Sequence, residues 1–329
     1  MTQEKSDASR RNSDLNAADL RRIYEQLRLI RRTEEEFARI YPSDKIKSPV
    51  HLSIGQEAVS VAVCDVLTPD DAVGSTYRGH AGYLAKGGDL NGMFAEMYGK
   101  QTGTAQGKGG SMHMVDAKSN FLGSSAVVAT GIPITLGYAM AMKKMNRDAV
   151  VVCFFGDGAT EEGVLYESLN FARLHMIPIL FVCENNGLAI HDEISQRWAT
   201  DKLCQRVETY DIPAVRIVDD DFFTMRNAAR DAVARMRADE GPQFMECMTY
   251  RWKEHVGPGD DYNAGYRSDD DLAPWRQNDA VEIVGNLLPS DDRAKIDSDI
   301  EARLKAAIDF AEASPFPEPE MLYTDVFAE

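Results

Sequence analysis

The spacing of apolar residues changes along this chain, and each change predicts a different element. From Ala17, Leu20, Ile23, Leu27, Ile30, Phe37 and Ile40 recur at intervals of three, four or seven, with Arg and Glu between them. That period predicts a long amphipathic helix, stopped by Pro42, Ser43 and Asp44. The residues before it are polar and charged without any apolar period, which reads as a disordered tail over residues 1–15. Residues 42–123 are rich in glycine and only weakly periodic, and they contain HLSIGQEA, STYRGHAGY and GKGGSMHM. Such a stretch reads as loops around a site rather than as packing units.

Downstream, short runs of β-branched and aromatic residues predict strands at 149–155, 178–183, 214–218 and 243–249. Helical patterns fall between them at about 161–174 and 222–238. Alternating strands and helices predict an α/β fold with a doubly wound, mainly parallel sheet. The sequence VGPGDDYNAGYRSDDD then makes a long loop, functional or disordered. Ile296, Ile300, Leu304 and Ile308 mark a last helix, closed by Pro315, Pro317 and Pro319. With no convincing linker in view, residues 16–329 are expected to form a single α/β domain with helical extensions at both ends.

Composition narrows the partners. The 329 residues have a formal net charge of -17, which argues against nucleic acid and against anionic membranes. Cys64, Cys153, Cys183, Cys204 and Cys247 are scattered with no CxxC pair, as expected of reduced core residues in a cytoplasmic protein. No apolar run approaches the ~20 residues of a membrane helix, and the charged N-terminus lacks a signal-peptide core.

Candidate chemistry concentrates where two predicted strands end. Gly156-Asp157-Gly158 closes one apolar run and Glu184-Asn185-Asn186 closes the next. In a strand-helix-strand unit the two strands are parallel, so Asp157 and Asn186 emerge on the same side of the sheet, where open α/β folds bind ligands. A hard carboxylate oxygen, an amide oxygen and glycines that let backbone approach an anion suit a magnesium ion held on a diphosphate.

This spacing resembles the thiamine-diphosphate signature. TYRGH, GKGGSMHM, GDG to ENN, and TYRWKEH followed by a tyrosine-arginine pair occur in the order found in the alpha subunits of the thiamine-dependent decarboxylating component of 2-oxo acid dehydrogenase complexes, of pyruvate, branched-chain and acetoin type. The resemblance spans roughly residues 20–267. It implies the thiamine-diphosphate-binding fold, thiamine diphosphate with Mg2+ as cofactors, and Asp157, Asn186 and the Leu188 carbonyl as metal ligands. It also implies Tyr77 and Arg78 on the cofactor, with Arg78 at the diphosphate, where a guanidinium makes charge-assisted forked bonds. Gly158 and Ala159 would add backbone N–H groups at a helix start, and Val128 would prop the bent cofactor. His255 would stand near the thiazolium and His51 along the substrate path, leaving His80 and His113 with structural roles.

By the same resemblance, the glutamate that activates the cofactor comes from a separate beta subunit in an assembly of two alpha and two beta chains. The acyl group then passes to lipoamide on a dihydrolipoyl acyltransferase. The implied activity is decarboxylation of a 2-oxo acid such as pyruvate; cleavage of acetoin, a split transketolase-like enzyme and a non-catalytic scaffold paralogue are the alternatives. The sequence departs from the family pattern in three places. Val256 follows His255 where several relatives have a phosphorylatable serine, Lys253-Glu254 precede it, and an aspartate within Val218-Asp219-Asp220-Asp221 stands where relatives often turn with glycine. The glycine-rich loop after His255 is expected to be mobile until cofactor binds.

Overall fold

Asn16 starts the first long helix. Its side-chain oxygen accepts the N–H groups of Ala18 and Asp19, and the Asp19 carboxylate accepts the Asn16 N–H in return, a reciprocal cap that fixes where Ala17–Ile40 begins. A computed structural model describes residues 15–218 and 221–324. The expected tail therefore lies almost wholly outside the described residues, as do Asp219 and Asp220. Asp221, next to them, caps the helix Phe222–Arg237 through the N–H groups of Phe223 and Thr224.

Strands β1 (Ala72–Gly74), β2 (Phe121–Gly123), β3 (Val151–Gly156) and β4 (Ile179–Asn185) come first in the chain. A small antiparallel pair, β5 (Leu188–Ala189) and β6 (Asp192–Glu193), follows, then β7 (Ala214–Ile217) and β8 (Gln243–Met248). The main sheet has six strands in the order β2-β1-β3-β4-β8-β7, every neighbouring pair parallel. Alternate residues feed two cores. Val152, Phe154, Leu180, Val182 and Met245 pack toward the helices Ala17–Ile40, Glu57–Cys64 and Phe222–Arg237. Val151, Cys153, Phe155, Ile179, Phe181 and Phe244 pack toward Gly131–Lys144 and Gly163–Leu174. Covering both faces buries the whole strand, so these strands read as continuous apolar runs.

Residues 42–123 depart from the sequence expectation of loops. They hold β1, β2 and three helices, Glu57–Cys64, His80–Ala85 and Leu90–Met97. Every residue of the first two helices is buried, and a helix buried all round has no polar stripe and so no readable period. The glycine-rich segment 105–110 wraps a carboxylate of its own chain. Glu96 Oε2 accepts N–H groups from Ala105 and Gly107, and Oε1 accepts those of Gly109 and Gly110, at 2.7–3.0 Å. The last helix, Ser290–Ala313, lies along the first: Tyr24 donates to Asp297 at 2.8 Å and Arg32 pairs with Glu301 at 2.5 Å.

The strand order also locates the site. The chain leaves β1 toward β2 on one side and leaves β3 toward β4 on the other. This reversal opens a crevice at the carboxyl ends of β1 and β3, the place where doubly wound sheets take ligands.

Candidate active site

Segments following β1, β3 and β4 meet in that crevice. Tyr77 and Arg78 follow β1; Asp157, Gly158 and Ala159 follow β3; Asn186 and Leu188 follow β4. All of them, with Val128 and His255, line a cavity of about 390 Å³. Gly156 pairs with Glu184 in the parallel register, which brings Asp157 beside Asn186. The two asparagines divide the work. Asn185 is buried, donating to Glu246 at 2.7 Å and accepting from the Gly187 N–H at 3.0 Å. Asn186 faces the cavity, donating to Gln56 at 3.1 Å and accepting from the Leu188 N–H at 3.1 Å.

Arg78 is only 8% exposed, and among the described residues no carboxylate pairs with it. Its guanidinium donates to the Leu52 carbonyl at 2.7 Å and the His255 carbonyl at 3.1 Å. Burial draws its pKa down to about 10. A buried guanidinium left without a counter-ion is costly, so an anion entering the cavity would find a ready partner. Glu184, also buried on the cavity wall, is pushed up to about 8 by burial, with Arg78 opposing the shift.

Asp157 is buried, and its carboxylate is paired with Arg197, which also pairs with Glu161. Burial pushes the Asp157 carboxyl above its usual range, while Arg197 and the backbone of Asp157 and Asn186 oppose that push. Gly158 and Ala159 do not open an α-helix as expected. Residues Asp157–Glu161 form a tight 3-10 turn, and the helix begins only at Gly163. Among the described residues no three His, Cys, Asp or Glu side chains come together to hold a metal. A cation at Asp157 would therefore draw its other oxygens from Asn186, a backbone carbonyl and a bound diphosphate, a set that suits magnesium.

Three rings cluster beside the cavity. His51 lies 4.5 Å from Tyr77 and 5.0 Å from His255 between ring centroids, and Tyr77 lies 5.8 Å from His255. His51 sits behind the other two, outside the cavity lining, with its Nδ1 buried and unpartnered. Desolvation and nearby Arg78 lower His51 to about 3 and His255 to about 4. Both imidazoles are therefore neutral at neutral pH. The Arg78 guanidinium approaches His255 Nδ1 at 3.5 Å; since a guanidinium only donates, the neutral ring carries its proton on Nε2.

Val128 is 45% exposed on the cavity wall, so it is not a core valine. His80 lies deep in the core, where Glu34 meets its Nδ1 at 3.1 Å and Ser111 Oγ its Nε2 at 2.9 Å. Glu34 also accepts the Ser53 N–H at 3.0 Å, tying this network to the segment that holds Arg78. His113 is exposed.

The loop after His255 carries its own network of ion pairs and hydrogen bonds. Asp261 pairs with Arg251 at 2.8 Å and accepts from Arg267 Nε at 2.6 Å, while Arg267 also donates to the carbonyls of Arg251 and Lys253. Lys253 and Glu254 fold onto this loop, bonding Asp260 and the Gly259 N–H, and neither lines the cavity. Gln56, Glu184 and Arg197 were not singled out from the sequence. Gln56 sits inside the HLSIGQEA motif and Glu184 beside Asn185-Asn186, whereas nothing in the sequence marks Arg197.

Comparison with known proteins adds an independent line. The family model described as dehydrogenase E1 component matches residues 25–320. The alpha subunit of acetoin:2,6-dichlorophenolindophenol oxidoreductase from Bacillus subtilis (strain 168) is 37% identical over 310 residues, covering 93% of this chain and 92% of that one. The pyruvate dehydrogenase E1 component subunit alpha of Zymomonas mobilis is 36% identical over 315 residues, 94% of this chain and 88% of the relative. That of Rhizobium meliloti is 33% identical over 321 residues, 95% and 91%. The chain belongs to the dehydrogenase E1 component family, as an alpha-type oxidoreductase chain of the thiamine-diphosphate-dependent 2-oxo acid dehydrogenases.

Proposed function

We propose that the cavity takes thiamine diphosphate with Mg2+, the ion held by Asp157, Asn186 and the Leu188 carbonyl. Arg78, Tyr77 and the backbone N–H groups of Gly158 and Ala159 serve the cofactor's diphosphate end, and Val128 supports its bend. The observation that carries this reading is the pairing of opposites around one cavity. Among the described residues Arg78 is a buried cation with no carboxylate partner, and Asp157 is a buried carboxylate on the same cavity whose cationic partner is the side chain of Arg197. A magnesium diphosphate satisfies both.

Once bound, the cofactor supplies the electron sink for breaking a bond next to a keto carbonyl. The chain's own residues hold, orient and manage protons. His255, neutral with its proton on Nε2, is suited to donate to an oxygen in the substrate, and His51 backs it. The activating glutamate comes from a beta subunit, in an assembly of two alpha and two beta chains, and the acyl group is handed to a lipoylated dihydrolipoyl acyltransferase. The substrate is a 2-oxo acid such as pyruvate. Acetoin is the second reading, favoured by the two acetoin-oxidoreductase relatives at 37% and 34% identity. A cytoplasmic location accords with five cysteines that form no disulfide among the described residues, four of them buried. Among the described residues no helix is long and apolar enough to cross a membrane.

The test is co-expression with the cognate beta chain and turnover of pyruvate, branched 2-oxo acids and acetoin with a dye acceptor. The isolated chain should be inactive. In the assembled enzyme Asp157→Ala should lose magnesium-dependent cofactor binding by calorimetry, and unchanged affinity would remove the site assignment. His255→Ala should retain binding and lose roughly 10²–10⁴ in rate.

A further inference from the structure

Arg197, on the cavity wall against Asp157, is a group that a cation-binding role for Asp157 leaves unexplained. Its guanidinium is 8% exposed and lies against the Asp157 carboxylate, itself 2% exposed, with Glu161 on its other side. That is where a cation bound by Asp157 would have to sit. Two cations do not share one buried carboxylate at contact distance without strong repulsion. The backbone around Arg197 is tied to the same segment. Arg197 Nε donates to the Asp192 carbonyl at 3.0 Å, and the Ile194 N–H donates to the Gly187 carbonyl at 2.9 Å. The small hairpin of β5 and β6 lies between them and includes Leu188. Arg197 and Leu188 therefore belong to one hydrogen-bonded segment, residues 187–198.

We propose that Arg197 is the resident cation of Asp157 in the unloaded chain, and that magnesium and cofactor load by displacing it, with residues 187–198 rearranging in the exchange. The guanidinium holds a buried carboxylate in place on the cavity wall before the ion arrives. It also sets a threshold, because the apparent affinity of a site is reduced by the fraction of time it is competent to bind. Displaced, Arg197 remains beside the cavity with Glu161 as its nearest carboxylate.

This inference rests on the reading of Asp157 as a cation ligand, and the experiment separates the two. Magnesium is titrated by calorimetry into the assembled alpha-beta enzyme at fixed thiamine diphosphate, for wild type, Arg197→Gln, Arg197→Lys and Asp157→Asn. If the pair holds the site closed about nine-tenths of the time, Arg197→Gln should bind magnesium about tenfold more tightly. It should also melt at a lower temperature without magnesium, since it leaves a buried carboxylate unpaired, and Arg197→Lys should fall between it and wild type. Trp198 stands beside Arg197 and stacks on Arg206 with the guanidinium 3.4 Å from the ring centroid. Its fluorescence, taken as the difference from Trp198→Phe, should change as magnesium and cofactor load. A role in merely bracing the fold would lower magnesium affinity in Arg197→Gln or leave it unchanged, and either result overturns the exchange. Retained magnesium binding in Asp157→Asn would instead overturn the underlying cation-site reading.

Discussion

Neutralising Asp261 is expected to release the loop that presents His255. One carboxylate there faces two buried guanidiniums, Arg251 at 2.8 Å and Arg267 through Nε at 2.6 Å, with the Tyr266 hydroxyl also donating to it. Asp261→Asn preserves the shape and removes the charge, leaving two buried cations facing an amide. Breaking a buried ion pair costs about 3–5 kcal/mol. The lower end applies because both arginines keep carbonyl partners, Ile190 and Lys253 for Arg251, and Arg251 and Lys253 for Arg267. At roughly 2 °C per kcal/mol for a large domain, a loss of about 3 kcal/mol lowers the melting temperature by about 6 °C. If the loop opens on its own, the cost appears as local exposure instead. Calorimetry of the assembled enzyme reads the first outcome, and limited proteolysis between Val256 and Arg267 reads the second. Unchanged melting together with an unchanged cleavage rate would refute the claim that this carboxylate holds the loop.

Two further outcomes follow from buried titrating groups. Glu184, raised to about 8 in the folded chain, holds its proton after the unfolded chain has lost it, so it reduces stability as pH climbs from about 4.5 to 8; Glu184→Gln should melt higher than wild type at pH 8 and match it near pH 5. His51 and His255 run the other way. Lowered to about 3 and about 4, they stay neutral where the unfolded chain is protonated, so their contribution is intact above pH 6.5 and is lost as pH falls toward 4. A His51→Gln, His255→Gln double variant should flatten the fall in melting temperature over that window, and an unchanged slope would contradict it.

How much of this could be read from residues alone depended on how local the cause was. The helix Ala17–Ile40 and strands β3, β4 and β8 announced themselves because period and β-branched content are properties of neighbours in sequence. β1 and β2 are three residues each, too short to show a pattern. The helices Glu57–Cys64 and His80–Ala85 escaped because burial on all sides erases the polar face. The juxtaposition of Asp157 and Asn186 was legible, since a strand-helix-strand unit dictates it. The Arg197 contact with Asp157 was not, being a side-chain encounter across 40 residues. Lys253 and Glu254, a departure from the family pattern whose consequence the sequence leaves open, are turned back onto their own loop by Asp260 and Gly259.

The clasp between the first and last long helices joins segments that synthesis delivers far apart in time. Synthesis delivers Ala17–Ile40 at the start, yet Asp297 and Glu301, which engage Tyr24 and Arg32, emerge more than 250 residues later. Until then that flank of the first helix has no cover from the last one, and it is a surface for chaperones or for mispairing with other nascent chains. Glu34, on the same helix, fastens the Ser53 segment that carries the Arg78 contact. The geometry around Arg78 therefore leans on a helix whose outer flank is clasped by a segment made more than 250 residues after it.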